Sequence, residues 1–253
     1  MNLAELTWPR INDLSRDTPV VLPVAALEQH GHHLPVFTDS LLLGEVVRRT
    51  MPSLEKRVLL APLQWLGSSE HHMDFPGTMS AAPRLYLDLL SNLAECFIAH
   101  GFRRIVFVNG HGGNDVPGRQ SVFETRQRHR SRDDLLLLFS TYWLLGAKPY
   151  ETDRTLVQRQ MGHACEWETS MMLRLAPELV VGDVGELPPV EPGNAFEPAV
   201  RGWITKDRTQ PGHIGFPHHA TSAKGESLFR VFAQDLVAFL ERVIAWDGKS
   251  WSG

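Results

Sequence analysis

The sequence lacks the features that mark several large classes of protein. Its two cysteines, Cys96 and Cys165, are too few for a disulfide framework and fit a reducing compartment. No segment approaches the roughly 18 apolar residues that a membrane helix needs, and residues 1–17 contain no apolar stretch typical of secretory signals. A net charge of -4 argues against a basic surface for nucleic acid or a membrane. We therefore expect a cytoplasmic globular protein with no nucleic-acid or membrane partner.

Histidine, in contrast, is abundant and clustered. Of the 12 histidines among 253 residues, most lie in a few short segments. The stretch LEQHGHHLPVFTDS, residues 27–40, contains three of them together with a glutamate and an aspartate. Others lie at positions 71–72, 111, 163, 213 and 218–219. Because imidazoles and carboxylates are common ligands of divalent metal ions, this crowding indicates a candidate metal site.

Apolar runs typical of strands alternate along the chain with amphipathic segments typical of helices. The predicted strands are residues 18–25, 57–65, 103–113, 134–143 and 178–184. The predicted helices are residues 40–51, 83–102, 115–130, 163–177 and 222–246, and the proline- and glycine-rich residues 184–219 are irregular. Because the strands are apolar on both faces, we predict an α/β fold of one domain, residues 1–253, with a mostly parallel sheet and helices on both faces.

Polar clusters follow the predicted strands where each strand gives way to a loop. Residues 28–33 follow the first strand, residues 68–72 the second and residues 109–114 the third, while residues 163–168 lead into a later helix. In open parallel sheets, sites form outside the carboxyl ends of the strands. We therefore expect these four clusters to converge at one edge of the sheet.

Glu28, His30 and Asp39 form the first candidate group of ligands. Glu28 and His30 are two residues apart and so project from the same face of an extended strand end. Asp39 comes 11 residues after Glu28, at the start of a predicted helix, where a carboxylate can bridge two cations in the favourable field of the helix N-terminus. The alternative for Asp39 is simple capping of that helix.

Two further motifs contain His111 and His163. In VNGHGGN, an apolar strand brings His111 into a glycine turn that permits close approach of the backbone; the alternative is a structural turn with an incidental histidine. In HACEWETS, His163 and Glu166 are three residues apart and share a helical face, whereas Glu168 lies five residues on. Spacing therefore favours Glu166 as the partner of His163. Mixed oxygen and nitrogen donors suit Zn, Mn, Fe or Co better than a cysteine-bound structural zinc.

Taken together and in order, these motifs resemble those of the creatininase (creatinine amidohydrolase) family. The matching segments are LEQHGHHLPVFTD, GSSEHHMDFPGTMS, VNGHGGN and HACEWETSMML, and GHIGFPHHATSAKGE is similar to the family's C-terminal pattern. The resemblance implies a creatininase-like architecture related to that of arginase, two divalent metal ions per subunit (zinc before manganese or iron), and hydrolysis of non-peptide or terminal C–N amide bonds. It also implies a homo-oligomer, commonly a hexamer, that acts on a small-molecule amide.

The resemblance also implies a role for each ligand. Glu28 and His111 match ligands of one metal, His30 matches a ligand of the second, and Asp39 matches the bridge between them. Two cations that share a carboxylate would lower the pKa of a bridging water from about 15.7 to near neutrality. The expected reaction is therefore attack of a bridging hydroxide on an amide carbonyl.

One position departs from the family pattern. Creatininase takes a ligand of its second metal from an acid at the place where this chain has Gly113, so another acid is required here. We expect Glu166 in that role, with Glu168 as the alternative because the family pattern keeps the acid at Glu168. His163 matches the family's catalytic histidine and is expected to protonate the leaving nitrogen, with Glu168 as a second candidate catalytic residue.

The substrate pocket and the exact reaction are less determined. Ser69, His71, Thr78 and Gly112 are expected to line or support the pocket. Residues 185–219 are interpreted either as a lid or as an oligomer contact. Two other functions stay open: a different binuclear hydrolase acting on an amidine or an ester, and a non-catalytic oligomeric binding protein. The complete set of candidate ligands speaks against the second of these.

Overall fold

A parallel sheet forms the centre of the computed structural model, which describes residues 1–193 and 195–251. Residue 194 of the irregular segment and the last two residues of the predicted domain lie outside the described residues. The strands are β1 (Val20–Val24), β2 (Leu59–Leu60), β3 (Arg104–Asn109) and β4 (Leu136–Thr141). They pair in the order β2-β1-β3-β4, and every pairing is parallel.

Helices cover this sheet on both faces. The α-helices are α1 (Trp8–Asn12), α2 (Thr38–Thr50), α3 (Pro83–Ala99), α4 (Asp115–Arg128), α5 (Pro149–Thr152), α6 (Glu166–Leu175), α7 (Thr205–Arg208) and α8 (Ser222–Ala245). Short 3-10 helices span Leu3–Glu5, Met51–Leu54, Glu70–His72, Gly112–Asn114, Tyr142–Leu144, Pro177–Leu179, Val184–Glu186 and Pro217–His219. Among the described residues, no helix is both long and apolar enough to cross a membrane.

The alternation of side chains along β1 divides the core into two clusters. Val21 packs in one cluster with Leu43 of α2 and Phe232 of α8. Val20, one residue earlier and therefore on the opposite face, packs in the other cluster with Tyr86 of α3. Because both faces are covered, every residue of β1 and β3 is buried. The predicted α/β fold with a parallel sheet between helices is confirmed.

Two predicted strands differ from the structure. The strand expected over residues 57–65 is reduced to Leu59–Leu60, because Pro62 has no N–H to donate to the ladder. A single bridge between Val24 and Gln64 follows it. The strand expected over residues 178–184 is wrong, since this segment forms parts of two 3-10 helices.

The start of α6 also differs from its prediction. The helix was expected from residue 163, but it begins at Glu166. Ala164 has a positive φ of 46° and therefore cannot belong to a right-handed helix. Cys165 is the N-cap residue, and its N–H donates to the Glu168 carboxylate at 3.4 Å. His163 consequently lies outside the helix, and its spacing to the two glutamates does not follow helical periodicity.

Candidate metal centre

The predicted polar clusters meet at the carboxyl ends of the strands, where Asp39 lies at the centre of a buried group. The Nε2 atom of His30 is 3.2 Å from Asp39 Oδ1. The Nδ1 atom of His111 is 3.0 Å from Asp39 Oδ2 and 3.3 Å from Glu28 Oε1. Each oxygen of Asp39 therefore faces a different imidazole.

Glu168 completes the side of the cluster that contains His30. Its Oε1 atom is 3.9 Å from His30 Nε2, and the helix start at Glu166 directs it toward the cluster from the first turn of α6. Asp39 thus lies between two groups of donors, His30 with Glu168 and Glu28 with His111. Among the described residues, the sets of donor atoms close enough to hold one ion overlap: they are Glu28–His30–Asp39, His30–His163–Glu168, Glu28–His71–His111 and Glu28–His72–His163.

The hydrogen bonds of the two imidazoles fit a bound cation. His30 Nδ1 donates to the backbone carbonyl of Glu28 at 3.0 Å, and His111 Nε2 donates to the carbonyl of Ser68 at 3.1 Å. A metal-bound histidine usually donates one ring N–H to a carbonyl or carboxylate in this way. The other ring nitrogen of each histidine faces carboxylates with which it could share a cation.

The carboxylates support the same reading. Glu28 Oε2 is a buried atom without a hydrogen-bond partner, and Asp39 Oδ2 makes no well-aligned hydrogen bond although His111 Nδ1 lies 3.0 Å away. Leaving a buried charged oxygen poorly paired costs free energy, and a divalent metal ion would satisfy both oxygens. With nitrogen and oxygen donors only, the cluster suits Zn or Mn.

Glu166, the first choice from spacing, lies elsewhere. Its carboxylate accepts hydrogen bonds from the backbone N–H groups of Val157 at 3.0 Å and Gln158 at 2.6 Å, and from Lys224 Nζ at 2.6 Å. These three donors occupy the carboxylate in the core between α6 and α8. The prediction of Glu166 as a metal ligand does not fit this placement, and Glu168 is the acid that reaches the cluster.

Gly113, where the family pattern led us to look for an acid, is closely packed. A side chain at this position would overlap the carbonyl oxygen of Ser68 and the ring of His111. The backbone here therefore has no room for a carboxylate unless the loop moves. This steric limit argues against an acid at position 113, whereas Glu168 lies within 3.9 Å of His30.

His163 lies beside the cluster and contacts Glu28. Its Nε2 atom donates to the backbone carbonyl of Gln29 at 2.7 Å, and its Nδ1 atom is 3.5 Å from Glu28 Oε1. The backbone N–H of His163 donates to the Ile214 carbonyl at 2.9 Å, and that of Ile214 donates back at 2.7 Å. Ile214 belongs to residues 185–219, which the sequence predicts to be a lid or an oligomer contact. This segment thus positions the candidate catalytic histidine.

Gln29 and Thr205, which sequence reasoning missed, form a second layer together with His72. His72 Nε2 is 3.3 Å from Glu28 Oε1. The Nδ1 atom of His72 lies 2.9 Å from both the Gln29 amide nitrogen and the Thr205 hydroxyl, so it accepts and leaves the Nε2 proton for Glu28. Gln29 also donates to the Gly212 carbonyl at 2.8 Å. Gln29 lies between the candidate ligands Glu28 and His30, and this position could have suggested a supporting role for it. No local pattern marks Thr205.

The four predicted pocket residues have different positions. His71 and Gly112 line a cavity over the cluster, with a volume of about 990 Å³. Ser69 is fully buried, with its hydroxyl 3.3 Å from His111 Nε2. Thr78 accepts from the backbone N–H of Gln29 at 3.1 Å. Ser69 and Thr78 therefore support the loops that carry His111 and Glu28.

Residues 185–219 supply a large part of the cavity wall. The lining residues from this segment are Pro192, Arg201, Gly202, Trp203, Arg208 and Ile214. Further lining comes from Trp143, Leu144 and Met161, which make part of the wall apolar. The segment therefore shapes the space in which a substrate would lie.

Charge interactions outweigh the effect of burial on Glu28, His30, Asp39 and His111. Burial would raise the pKa of Glu28 and of Asp39, but His111 and His30 respectively hold both values below the usual range. Burial would lower the pKa of His30, but Asp39 raises it to about 9, and Glu28 and Asp39 similarly raise the pKa of His111. Two protonated rings thus balance the carboxylates in the absence of a metal.

His163, His72 and Glu168 behave differently because fewer opposite charges face them. Burial lowers the pKa of His163 well below its usual value and that of His72 to about 3, so both rings are neutral at pH 7. Burial raises the pKa of Glu168 to about 7 in spite of the nearby His30. A cation at the cluster would favour the ionised form of Glu168.

We expect Zn²⁺ binding to the metal-free protein at pH 7 to release protons. His30 has a pKa of about 9 and is protonated below that value, so a metal must displace its proton, and His111 behaves in the same way. Metal affinity should therefore rise with pH up to about pH 9. Calorimetric titrations in buffers of different ionisation enthalpy measure the released protons, and a binding heat independent of the buffer would contradict the expectation.

Comparisons with known proteins find relatives that match most of the chain. The model of the family Creatininase, described as creatinine amidohydrolase, matches residues 4–240. The mycofactocin precursor peptide peptidase of Mycolicibacterium smegmatis is 31% identical over 90% of this chain and 85% of its own. The creatinine amidohydrolase of Pseudomonas putida is 29% identical over 92% of this chain and 94% of its own.

Solved structures extend the comparison to the fold. Two creatininase structures, a mutant described as Zn-Zn type and one described as Creatininase Mn, each reach a TM-score of 0.79 at 27% identity. Each match covers 95% of this chain and 97% of the other. The structural neighbours thus carry Zn or Mn on a fold of the same class.

Proposed function

Since the chain belongs to the creatininase family, we propose that it hydrolyses an amide with two divalent metal ions held by Glu28, His30, Asp39, His111 and Glu168. The family makes it a metal-dependent hydrolase of C–N bonds. The observation that carries the two-metal proposal is the position of Asp39, whose two oxygens face two separate imidazoles. A carboxylate in this position is suited to bridge two cations.

When bound, the metal ions would supply a hydroxide nucleophile near neutral pH and polarise the carbonyl of the amide. The protein residues would orient the reacting groups. His72, fixed by Gln29 and Thr205, holds Glu28 in place through its Nε2 proton. The hydrogen bonds of His30 and His111 to backbone carbonyls fix the two rings.

His163 is proposed to transfer the proton to the leaving nitrogen. Its Nε2 proton is engaged with the Gln29 carbonyl, so Nδ1 is the free atom, and this atom faces Glu28 at the base of the cavity. Because burial lowers its pKa, the ring is neutral at pH 7 and can accept a proton from the nucleophilic water. It can then release this proton to the amine that departs.

We expect His163→Asn to lower kcat by about 10²–10⁴-fold while both metals stay bound. The reason is that the five proposed ligands do not include His163, whose Nε2 donates to the Gln29 carbonyl and whose Nδ1 lies 3.5 Å from Glu28 Oε1. Steady-state kinetics with metal analysis by mass spectrometry would measure both quantities, and His32→Gln, at an exposed histidine in the same loop, is the matched control. Metal loss in proportion to the loss of activity would contradict the catalytic role and make His163 a ligand.

The substrate is proposed to be a small-molecule or small peptide-like amide. A cavity of about 990 Å³ is at the upper end of the range of roughly 300–1,000 Å³ for small-molecule sites, so a substrate larger than a single small ring fits well. The similarity to a peptide peptidase also favours a substrate larger than a single small ring. A cytoplasmic location and a homo-oligomer, hexameric as the resemblance implies, stay predictions.

Activity measurements with and without metal test this function. The protein would be stripped with a chelator, reconstituted with Zn²⁺ or Mn²⁺, and assayed on creatinine, formamides, lactams, short peptides, esters and guanidines. We expect amide hydrolysis that disappears in the stripped protein and returns with metal. Hydrolysis restricted to esters or guanidines, or activity unchanged by chelation, would contradict the proposal.

A further inference from the structure

Two arginines in the cavity wall have no acidic partner. Arg201 and Arg208 both line the cavity above the candidate metal centre. Arg208 stacks on Trp203, with its guanidinium 5.0 Å from the ring centroid, and Arg201 lies 5.9 Å from the ring of Phe196. Among residues 1–193 and 195–251, no carboxylate forms an ion pair with either guanidinium. Such unpaired cations in a cavity are candidates for recognition of an anion.

The position of Arg208 is tied to the metal centre by contacts on both sides. Arg208 is the last residue of α7, whose first residue, Thr205, donates its hydroxyl proton to His72 Nδ1 at 2.9 Å. Trp203, on which Arg208 stacks, meets the ring of His71 edge-on at 5.2 Å. His71 in turn stacks on His111 at 5.8 Å. A continuous set of packed rings therefore connects the candidate ligands with the guanidinium.

The carboxylates of the cavity are already engaged. Glu28, Asp39 and Glu168 face the histidines of the cluster. Asp115, the remaining acid in the cavity lining, pairs with Arg119 at 3.0 Å. Asp207 of α7 accepts from the backbone N–H of Ile204 at 3.0 Å, which caps the helix. None of these described acids therefore forms an ion pair with Arg201 or Arg208.

Arg208 is also partly withdrawn from water. Burial lowers its pKa from the usual value, and among the described residues its guanidinium donates one hydrogen bond, from Nη2 to the Gly193 carbonyl at 3.4 Å. A partly desolvated cation without an anion is unfavourable, and a ligand carboxylate or phosphate would compensate it. The planar guanidinium can bind either group through two parallel hydrogen bonds.

Resting on the proposed function, we propose that the amide substrate carries an anionic group, a carboxylate or a phosphate, that binds to Arg208 against Trp203 with Arg201 at the outer edge. The metal centre and this anion subsite lie at separate parts of one cavity, with Trp203 and His71 between them. The substrate would therefore be long enough to place its anion away from the scissile bond. The apolar side chains of Trp143, Leu144 and Met161 could contact an apolar portion of it.

Binding of matched probes to the Zn²⁺-loaded full chain tests the subsite. N-acetyl-leucyl-glycine and its C-terminal amide differ only in the anionic group, and phenyl phosphate with phenylacetate compares phosphate with carboxylate. Calorimetry should give at least about tenfold tighter binding of the carboxylate peptide than of its amide, because hydrogen bonds to charged groups contribute that much or more. Arg208→Gln should remove this preference. If the substitution weakens binding of phenyl phosphate more than binding of phenylacetate, the anionic group is a phosphate, and the opposite result identifies a carboxylate.

Controls separate this subsite from direct binding of anions to the metals. Arg230→Gln, at an exposed arginine of α8, should leave the affinities for the peptide acid and its amide unchanged. Arg208→Lys should give an intermediate preference, because it keeps the positive charge but loses the two parallel N–H donors of the guanidinium. Metal content and the thermal midpoint should be equal in all variants. An anion preference that Arg208→Gln does not change, or no preference at all, would overturn the subsite.

The same proteins distinguish failure of the subsite from failure of the proposed function. Amide hydrolysis without any preference for anionic substrates would leave the function standing and overturn the subsite. Conversely, an Arg208-dependent preference in binding, with no hydrolysis of any amide in the panel, would support the subsite and contradict the proposed amide hydrolysis.

Discussion

An Asp39→Ala protein is expected to lose the paired metal site and to retain less than about a thousandth of the wild-type activity. Asp39 Oδ1 faces His30 and Oδ2 faces His111, so one substitution removes a donor from both groups. The residue is buried, and therefore water has little access to replace the lost oxygens. Removing a single electrostatic donor from an active site costs about 10²–10³-fold, and loss of the metals should cost more. Metal content and kcat/KM of the dialysed protein measure both effects.

Asp115→Ala provides the matched control for this experiment. Asp115 is also an aspartate in the first turn of a helix, and it also lines the cavity. Its partner, however, is Arg119 at 3.0 Å, so its removal should leave both metals in place. Two metals retained in Asp39→Ala would exclude the shared ligand.

Glu168→Gln and Glu166→Gln are expected to have opposite effects, although the residues are only two positions apart. Glu168 faces His30, so Glu168→Gln should lose one metal and most of the activity. Glu166 instead pairs with the buried Lys224 at 2.6 Å. Glu166→Gln should therefore keep both metals but lower the free energy of unfolding by about 3–5 kcal/mol, because it leaves a buried ammonium without its counter-charge.

Urea unfolding of the metal-free proteins, with metal analysis of the loaded ones, separates these roles. Burial raises the pKa of Glu168 to about 7, so at pH 8 its ionised form destabilises the metal-free fold. A neutral glutamine should accordingly leave that stability unchanged or increase it. The reverse pattern, with metal lost in Glu166→Gln and kept in Glu168→Gln, would restore the ligand that spacing favoured.

The sequence identified Glu28, His30, Asp39 and His111 as neighbours because the relevant geometry is local. Alternation along a strand end, a helix start and a glycine turn are all properties of short segments. Parallel strands then bring such segments to one edge of the sheet. In the structure, contacts of 3.0–3.3 Å around Asp39 join these side chains.

The choice between Glu166 and Glu168 was not available from spacing alone. The prediction treated His163 as helical, but the positive φ of Ala164 places it before α6. The partner of Glu166, Lys224, is 58 residues away in sequence, and no local pattern joins the two. Likewise, Thr205 reaches His72 across 133 residues. Such long-range pairs depend on how helices pack on the sheet, which residue periodicity does not specify.

The central claim is that two metal ions share Asp39, and anomalous X-ray diffraction at the zinc edge tests it most directly. Crystals of the Zn²⁺-loaded protein should show two peaks about 3.5–4 Å apart, one beside each oxygen of Asp39. One peak should lie near His30 and Glu168, and the other near Glu28 and His111. A single peak, or two peaks that do not both contact Asp39, would contradict the account.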